Sequence, residues 1–301
     1  MRITNSITAR AQFEGLAANM AALLKSQAQA TTGKRMQVAS DDPTAATQIM
    51  TSQSSLAALD QYRTNVQRAS SRIGLEDGVL QQMGDLLTRA KELGISQATA
   101  TATDQTRAVA NAEVQQLFKE IASLGNTKFG NEFLFGGEQS QTAPFAVTGA
   151  GATLDYTATS SQGSRSVAIG DGQTVSIAHD GKQLLLDSGV LDAVKQLSRA
   201  LDTASPTYGQ AGVGAAVDKI DSAFNAVQSL VGDVGAKGKQ LDNAQANLDA
   251  YKTNLTTFSS NLSDIDVEQA VTELTNRQVA YQAAMLATNK VMGLNLTDYL
   301  R

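Results

Sequence analysis

The sequence predicts a mainly α-helical protein with a small β-rich insert near its middle. Apolar residues recur at helical spacing over most of the 301 residues, and only three prolines interrupt the chain, so long helices can form. Aromatic residues make up 5% of the chain and tryptophan is absent, so Leu, Val, Ile, Met and Ala must fill the helix seams. The helical period is lost between residues 141 and 183, where short strands are predicted.

Composition excludes several functional classes. The chain has no cysteine, which excludes disulfides, thiolate metal sites and cysteine nucleophiles, and its single histidine, His179, leaves no His-pair metal site. The net charge of −5 argues against nucleic acid as a partner, because phosphate binding needs a basic surface. No apolar run approaches the roughly 20 residues that span a bilayer. The polar N-terminus, 1–6, lacks the apolar core of a secretory signal.

The two ends of the chain carry similar apolar stripes in alternating steps of three and four, as in a coiled-coil seam. The first stripe contains Phe13, Leu16, Met20, Leu23, Gln27 and Ala30. The last contains Val267, Val271, Leu274, Gln278, Tyr281, Met285, Thr288 and Met292. The polar members Gln27 and Gln278 either fix the register or are simply exposed.

Between the ends, the pattern predicts long helices. Gly33, followed by Lys34 and Arg35, is typical of a helix stop. Asp41-Asp42-Pro43 predicts a new helix start with an aspartate N-cap, and this helix runs to about Ala98, a length of about 80 Å. Its four glycines, at 74, 78, 84 and 94, each weaken it by about 1 kcal/mol relative to alanine. Further helices are predicted over 104–125, 188–203 and 210–262.

The β-rich insert follows a change in composition at Gly125-Asn126. A phenylalanine-rich segment, 129–137, leads into a stretch with frequent glycines, 141–183. Strands are predicted at Thr153–Ala158, Arg165–Ile169 and Thr174–Ile177.

The order of these segments is close to a palindrome, which favours an elongated rod whose ends pair antiparallel as a coiled coil. Residues 1–40 carry five basic residues against one acid, while 261–301 carry five acids against three bases, so their charges favour that pairing. We expect a terminal coiled-coil assembly domain at 1–40 and 264–301. A helical rod domain at 41–140 and 184–263, and a β-rich insert at 141–183, complete the predicted organisation.

The motifs that suggest chemistry have structural explanations. Gly33-Lys34 lacks the glycine at 28 and the Ser or Thr at 35 that a phosphate-binding loop requires. Asp41-Asp42 is explained by helix capping, and Gly212-Val213-Gly214 by a turn. His179 lies beside a turn signature, which predicts an exposed loop histidine. We therefore expect no catalytic residues, no metal, no cofactor and no enzyme activity.

The terminal stripes need a partner surface. Ordering each residue costs about 1–2 kcal/mol, and a narrow stripe containing Ala and Gln offsets this cost poorly. We expect the ends to be frayed in an isolated monomer and to become ordered when subunits bring their stripes together. The predicted assembly seam comprises Phe13, Leu16, Met20, Leu23, Val271, Leu274, Tyr281, Met285 and Met292.

Three motifs carry a family resemblance. The first is Thr32-Gly33-Lys34-Arg35 followed by Ala39-Ser40-Asp41-Asp42-Pro43-Thr44-Ala45-Ala46; the second is the segment 130–137 with Thr142-Ala143-Pro144-Phe145; the third is 281–285 with 293–300. With them the chain resembles the bacterial flagellin family, and the second and third motifs are most similar to its hook-associated members, which join the flagellar hook to the filament.

The resemblance implies a flagellin-like rod and a mechanical function. Such subunits leave the cell unfolded through the flagellum's own type III apparatus, without a cleaved signal, and act extracellularly at the hook–filament junction. The implied partners are further copies in a ring or short tube, a neighbouring hook-associated protein, flagellin and an export chaperone, with no nucleic acid and no membrane. The insert would face outward.

Two other functions remain open at this point. A filament flagellin would grow long filaments from the purified protein on seeds, whereas a junction subunit would form only short assemblies. A coiled-coil signalling or adaptor module would instead have ends that are stably folded in a monomer or dimer.

Overall fold

The computed structural model describes residues 2–159, 166–177, 179 and 181–299, and describes the backbone alone for 2–6, 8, 9 and 291–299. The chain is mainly α-helical with small β hairpins, which confirms the predicted fold class. The helices are α1 (Arg2–Thr32), α2 (Pro43–Gln97), α3 (Asp104–Gly125), α4 (Val190–Leu201), α5 (Gln210–Ser263) and α6 (Val267–Tyr299). Each lies close to a helix that the periodicity predicts.

The chain divides into two compact units. Unit 1 comprises 1–58 and 250–301, and unit 2 comprises 59–249. The divisions fall inside α2 and α5, so each of these long helices contributes to both units. The three-part organisation inferred from the sequence, with divisions near 40 and 264 and a separate insert, stays a prediction.

Unit 1 is built on α1 and α6, which pack against each other. The α1 helix ends at Thr32, and Gly33 adopts φ +67°, the left-handed conformation that glycine accepts without strain. A single antiparallel bridge pairs Lys34 with Asp264, just before α6 begins. The end of α1 therefore lies beside the start of α6, and the two helices run antiparallel, as the sequence predicts.

In unit 2, α2 and α5 also run antiparallel. The Arg63 guanidinium Nε lies 2.6 Å from an Asp249 carboxylate oxygen. At the other end of the same helix pair, a Cβ built on Gly94 would lie 2.6 Å from Val217 Cγ2, so this glycine permits a close approach of the helices. The α3 helix packs on α4, and the buried apolar side chains of all four helices join one core with residues of the hairpins.

In the described residues, three two-stranded antiparallel hairpins lie between α3 and α4, one in the phenylalanine-rich segment and two within 141–183. Their strands are β1 (Lys128–Phe129), β2 (Glu132–Phe133), β3 (Phe145–Thr148), β4 (Asp155–Ala158), β5 (Ser166–Gly170) and β6 (Gln173–Ser176). The predicted strands at 153–158, 165–169 and 174–177 correspond to β4, β5 and β6, although Thr153 lies in a 3-10 turn and Arg165 lies outside the described residues. A π-helical turn, Lys182–Asp187, then leads to α4.

The expected turn at Gly212-Val213-Gly214 is wrong, because all three residues lie in the first turn and a half of α5. A Cβ on Gly212 would collide with the carbonyl oxygen of Thr207. Gly212 therefore allows the start of α5 to pack closely on the preceding loop. In the sequence alone, two glycines near a helix start are compatible both with such close packing and with a turn.

The expectation of an exposed His179 is also wrong, since its side chain is only 7% exposed. Its Nδ1 lies 2.5 Å from the carboxylate of Glu76, and its Nε2 lies 2.7 Å from that of Asp233. Glu76 is only 1% exposed, and a buried carboxylate needs a compensating donor. Glu76 lies on α2, about a hundred residues earlier in the sequence. Its need for a donor buries His179, although the local turn signal predicts an exposed side chain.

Candidate assembly surface

A backbone connection joins the loop after α1 to the corner between α5 and α6. We call residues 33–42 together with 262–266 the clasp. The Arg35 amide donates to the Ser263 carbonyl at 2.7 Å, and the Ile265 amide donates to the Gly33 carbonyl at 3.1 Å. The Arg35 guanidinium donates to the Leu262 carbonyl at 3.2 Å. These bonds satisfy carbonyl groups in the last turn of α5 and main-chain groups of the loops that follow α1 and α5.

Ion pairs reinforce the clasp. Lys34 Nζ lies 2.5 Å from Asp264, and Arg35 lies 3.1 Å from Asp42. Hydrogen bonds from Lys34, Ser260 and Ser263 hold the pKa of the Asp264 carboxyl well below its ordinary value. These side chains are largely exposed, so the pairs contribute more to orientation than to stability.

The two aspartates of the clasp lie just before α2 and accept different hydrogen bonds. Asp42 accepts the Ala45 amide at 3.0 Å, which makes it the N-cap of a helix whose first residue is Pro43, and this bond lowers the pKa of its carboxyl. Asp41 accepts Lys25 Nζ at 2.7 Å and the Gln37 amide at 3.0 Å, which together lower the pKa of Asp41 to about 2. The helix stop at Gly33 and the capping interpretation of Asp42 are confirmed, whereas the capping interpretation is wrong for Asp41, which instead binds Lys25 and the loop amides at 37 and 38.

The faces that α1 and α6 turn away from solvent combine a few large apolar side chains with small and polar ones. On each helix the least exposed positions follow a heptad spacing. They are Gln12, Leu16, Asn19, Leu23, Ser26 and Ala30 on α1, and Ala270, Leu274, Tyr281, Ala284 and Thr288 on α6. Polar residues in a helix seam can fix its register, but they reduce the stability that the seam provides.

A second stripe of larger apolar side chains lies one position further along each helix and remains in solvent. Phe13 is 53% exposed and Met20 48% on α1, while on α6 Val271 is 51% exposed and Met285 43%. Gln27 and Gln278 continue these stripes and are exposed as well. Their exposure matches the simpler of the two explanations offered for these glutamines.

The predicted seam is therefore divided between the two faces. Leu16 and Leu23 on α1, with Leu274 and Tyr281 on α6, are half-buried on the inner faces. Phe13, Met20, Val271 and Met285 lie on the exposed stripe, and the side chain of Met292 lies outside the described residues. A stripe defined by large apolar side chains does not include the small and polar residues of the inner faces, although their heptad spacing is visible in the sequence.

Exposed and buried apolar side chains are distributed very unequally between the units. Among the described side chains, all the exposed large apolar residues except Ile95 and Val109 belong to unit 1. The buried apolar residues of unit 1 are only Ala45 and Ala46 within the described part of the chain, whereas those of unit 2 extend from Val66 to Leu248. Unit 1 thus has an extensive apolar surface and almost no core of its own, which is typical of a surface that other subunits cover.

The described residues contain no group of acidic, histidine or cysteine side chains that could hold a metal ion. Among them, no helix is long and apolar enough to cross a membrane. What the arrangement offers is a surface for helix packing.

Comparison with known proteins supports this interpretation. The model of the bacterial flagellin N-terminal helical region matches residues 3–140, and that of the flagellin C-terminal helical region matches 217–300. The two regions contain the clasp, α1 and α6 and the long parts of α2 and α5.

Individual relatives cover nearly the whole chain. Flagellar hook-associated protein 3 of Salmonella typhimurium is 26% identical over 320 residues, covering 98% of each chain. Flagellin of Bacillus subtilis is 27% identical over 316 residues, covering 100% of each chain. The crystal structure of a flagellar junction protein from Legionella pneumophila matches 73% of this chain and 100% of its own with a TM-score of 0.58 and 16% identity, which indicates a shared fold. From the matches to both terminal helical regions and the nearly full-length relatives, the chain belongs to the bacterial flagellin family.

Proposed function

We propose that this chain is a structural subunit of the bacterial flagellum that joins the hook to the flagellin filament and transmits torque between them. The observation that carries the proposal is the contrast between the units: unit 2 has a complete core, while nearly all the exposed large apolar side chains among the described residues belong to unit 1. A subunit of this kind needs neighbours to cover its terminal helices. The similarity to hook-associated protein 3, over 98% of both chains, supports the position at the junction.

The exposed stripe of α1 and α6 is the proposed assembly surface, and the inner faces hold the two helices together. Phe13, Met20, Val271 and Met285 would contact neighbouring copies in a ring or short tube. The half-buried side chains of the inner faces would hold α1 and α6 together beneath the exposed stripe; they are Leu16, Leu23, Leu274 and Tyr281. Met292 would extend the assembly surface along α6. The loss of solvent contact by these side chains would stabilise the assembly by about 25 cal/mol per Å² of apolar area.

The remaining partners follow from the proposed position. One side of the ring would contact another hook-associated protein, and the other side the first flagellin subunits. An export chaperone would cover the exposed stripe before export, and the chain would reach the outside of the cell through the flagellar type III apparatus. Each partner would cover apolar surface that the single chain leaves in solvent.

A filament flagellin is the alternative that one observation favours, because B. subtilis flagellin matches the chain over its whole length with similar identity. The two functions differ in what the purified protein builds. A junction subunit added to filament seeds should form short or capped assemblies, whereas a filament subunit should extend the seeds. Long filaments of this chain alone, seen by electron microscopy, would overturn the junction proposal.

The assembly surface is tested by Met285→Glu, with Gln282→Glu as a control on an exposed polar position of the same helix. A charge at 285 should prevent incorporation into flagella and abolish swimming, because a carboxylate would have to be buried without a partner. The control should swim normally. Normal swimming of the Met285→Glu strain, with the variant present in its flagella, would contradict the assignment. Leu16→Glu should also prevent incorporation, by separating α1 from α6.

A further inference from the structure

Five helical glycines lie at matching heights on α2 and α5 of unit 2. The antiparallel alignment of these helices places Gly94 against Val217 and Ile73 against Gly238, so positions whose numbers add to about 311 face each other. Gly74 and Gly78 of α2 therefore lie opposite the segment of α5 that contains Gly232, Gly235 and Gly238. We call these five residues the glycine level.

Packing does not require most of these glycines. A Cβ added to Gly74, Gly78, Gly232 or Gly235 would meet nothing within 4 Å, and none of the five has a positive φ. Each weakens its helix and leaves backbone amides accessible to water. By contrast, Gly94 permits the helices to approach. The glycines of the glycine level thus lower the cost of local opening in this part of the helix pair.

A polar cluster crosses the helix pair at this same height. Glu76 lies between the two glycines of α2, and Asp233 and Lys237 lie among the glycines of α5. His179, from the returning end of the insert, contacts both carboxylates, and Lys237 Nζ lies 2.8 Å from Asp233 and 3.2 Å from His179 Nε2. Arg72, one turn before Glu76, donates to the carbonyl of Leu134.

We propose that the glycine level is a compliant segment of unit 2, where α2 and α5 open locally, and that protonated His179 acts as a latch that holds it closed. A protonated imidazole donates to both Glu76 and Asp233, and so ties the two helices together. After loss of the Nε2 proton, Nε2 can no longer donate to Asp233 and can instead accept a hydrogen bond from Lys237, so a bond to a neutral imidazole replaces the stronger bond between a charged imidazole and a carboxylate. The latch therefore weakens as the histidine loses its proton.

The charges around His179 agree with this direction. The hydrogen bond to Glu76, followed by the charge of Glu76 and the bond to Asp233, raises the pKa of His179, while burial and the charge of Lys237 oppose the shift. The latch is therefore strongest in mildly acidic solution and weaker in alkaline solution. The proposal does not depend on where in the flagellum the chain acts.

Amide hydrogen exchange on the full chain, expressed as protection factors, tests the compliant segment. Residues 73–79 and 231–239 should be protected at least about tenfold less than the neighbouring turns at 63–69 and 241–247. Replacing Gly74, Gly78, Gly232 and Gly235 together by alanine should raise protection in the two segments by about tenfold or more. Gly214→Ala, also in open space on α5, should leave them unchanged. Equal protection of the segments and the neighbouring turns in the natural chain would overturn the proposal.

A second measurement tests the latch. Between pH 6 and pH 9 the protection factors of both segments should fall in the natural chain, whereas in His179→Gln they should be low and independent of pH. A decline with pH of the same size in His179→Gln would show that another group is responsible. The alanine variants keep the compliant segment testable should His179→Gln prove too unstable to measure.

Discussion

At the scale of single residues, His179 is important for unit 2, because it compensates a buried carboxylate. Glu76 is almost fully buried, and within the described part of the chain His179 is its hydrogen-bond partner. Removing one partner of a buried charged pair leaves the other without compensation, which is the costly outcome. The histidine also connects the end of the insert with both long helices of unit 2.

The free energy of unfolding should therefore depend on pH through His179. Because the folded state raises the pKa of this group, its contribution to stability is complete below its ordinary value of 6.5 and is lost as the pH rises through the raised value. Urea unfolding of the natural chain should show a lower free energy at pH 9 than at pH 6. His179→Gln should cost about 3 kcal/mol at pH 6 and less at pH 9. A variant that loses the same amount at both values would contradict the explanation.

Asp42 has a local role at the start of α2. Asp42→Ala removes the acceptor for the Ala45 amide and the partner of Arg35, so exchange of the amides at 44–46 should become several-fold faster. Asp42→Asn keeps the cap and removes only the charge, and should retain most of the protection. If the asparagine variant exchanged as fast as the alanine variant, the ion pair with Arg35 would matter more than the cap.

At the scale of elements, the end of α3 and strand β3 depend on each other. Asn126 accepts the Phe145 amide at 3.0 Å and donates to the Phe145 carbonyl at 2.7 Å. A Cβ on Gly125 would lie 2.5 Å from Leu185 Cδ1 and 2.8 Å from the Phe145 ring. Phe145 in β3 and Phe135 in the phenylalanine-rich segment are both buried, so both segments contribute to packing.

Gly125→Ala should accordingly destabilise the chain by about 1–3 kcal/mol, because both neighbouring side chains must shift in a filled core. Gly214→Ala, which would meet nothing within 4 Å, should be neutral or slightly stabilising. Thermal unfolding of the two variants beside the natural chain makes the comparison. A neutral Gly125→Ala would mean that this core can rearrange more easily than its close contacts indicate.

The helices could be predicted from the sequence more accurately than their contacts. The predicted α3, 104–125, has the observed limits, and the start of α2 at Pro43 follows from a cap that involves only near neighbours. The inner faces of α1 and α6 could not be separated from the exposed stripe in the same way. Periodicity locates an apolar side of a helix, but which of two adjacent heptad positions faces the partner depends on how closely the backbones approach. On α1 the less exposed neighbours of Phe13 and Met20 are Gln12 and Asn19, so hydrophobicity alone favours the outer positions.

The same distinction applies to the polar residues of the clasp and the latch. Much of the clasp could be anticipated from local signals. Its charged residues contact groups that are close in sequence or that the predicted pairing of the terminal helices brings together; they are Lys34, Arg35, Asp41 and Asp42. His179 could not, because its two carboxylate partners reach it only through the folding of unit 2. Local sequence therefore predicts caps and stops, while buried charge pairs between distant segments require the fold.

At the scale of the whole molecule, the two units should differ sharply in stability when the chain is alone. Unit 2 is a continuous stretch of chain, 59–249, and holds nearly all the buried apolar residues. In its described part, unit 1 fully buries only two apolar residues, both alanines, and its larger apolar side chains are half-buried or exposed, so it offers little burial to offset the entropy of ordering its helices. Helices that fray before assembly and become ordered within it would suit a subunit that must avoid premature association.

Limited proteolysis of the isolated chain should therefore remove residues from both ends and leave a resistant fragment close to 59–249. That fragment, produced alone, should unfold cooperatively with most of the stability of the full chain, because the core residues from Val66 to Leu248 are all within it. In assembled flagella the terminal segments should resist the same protease, since neighbouring copies would cover them. Equal resistance of the terminal segments in the isolated chain would mean that unit 1 is stable without partners, and would favour the signalling or adaptor alternative over an assembly subunit.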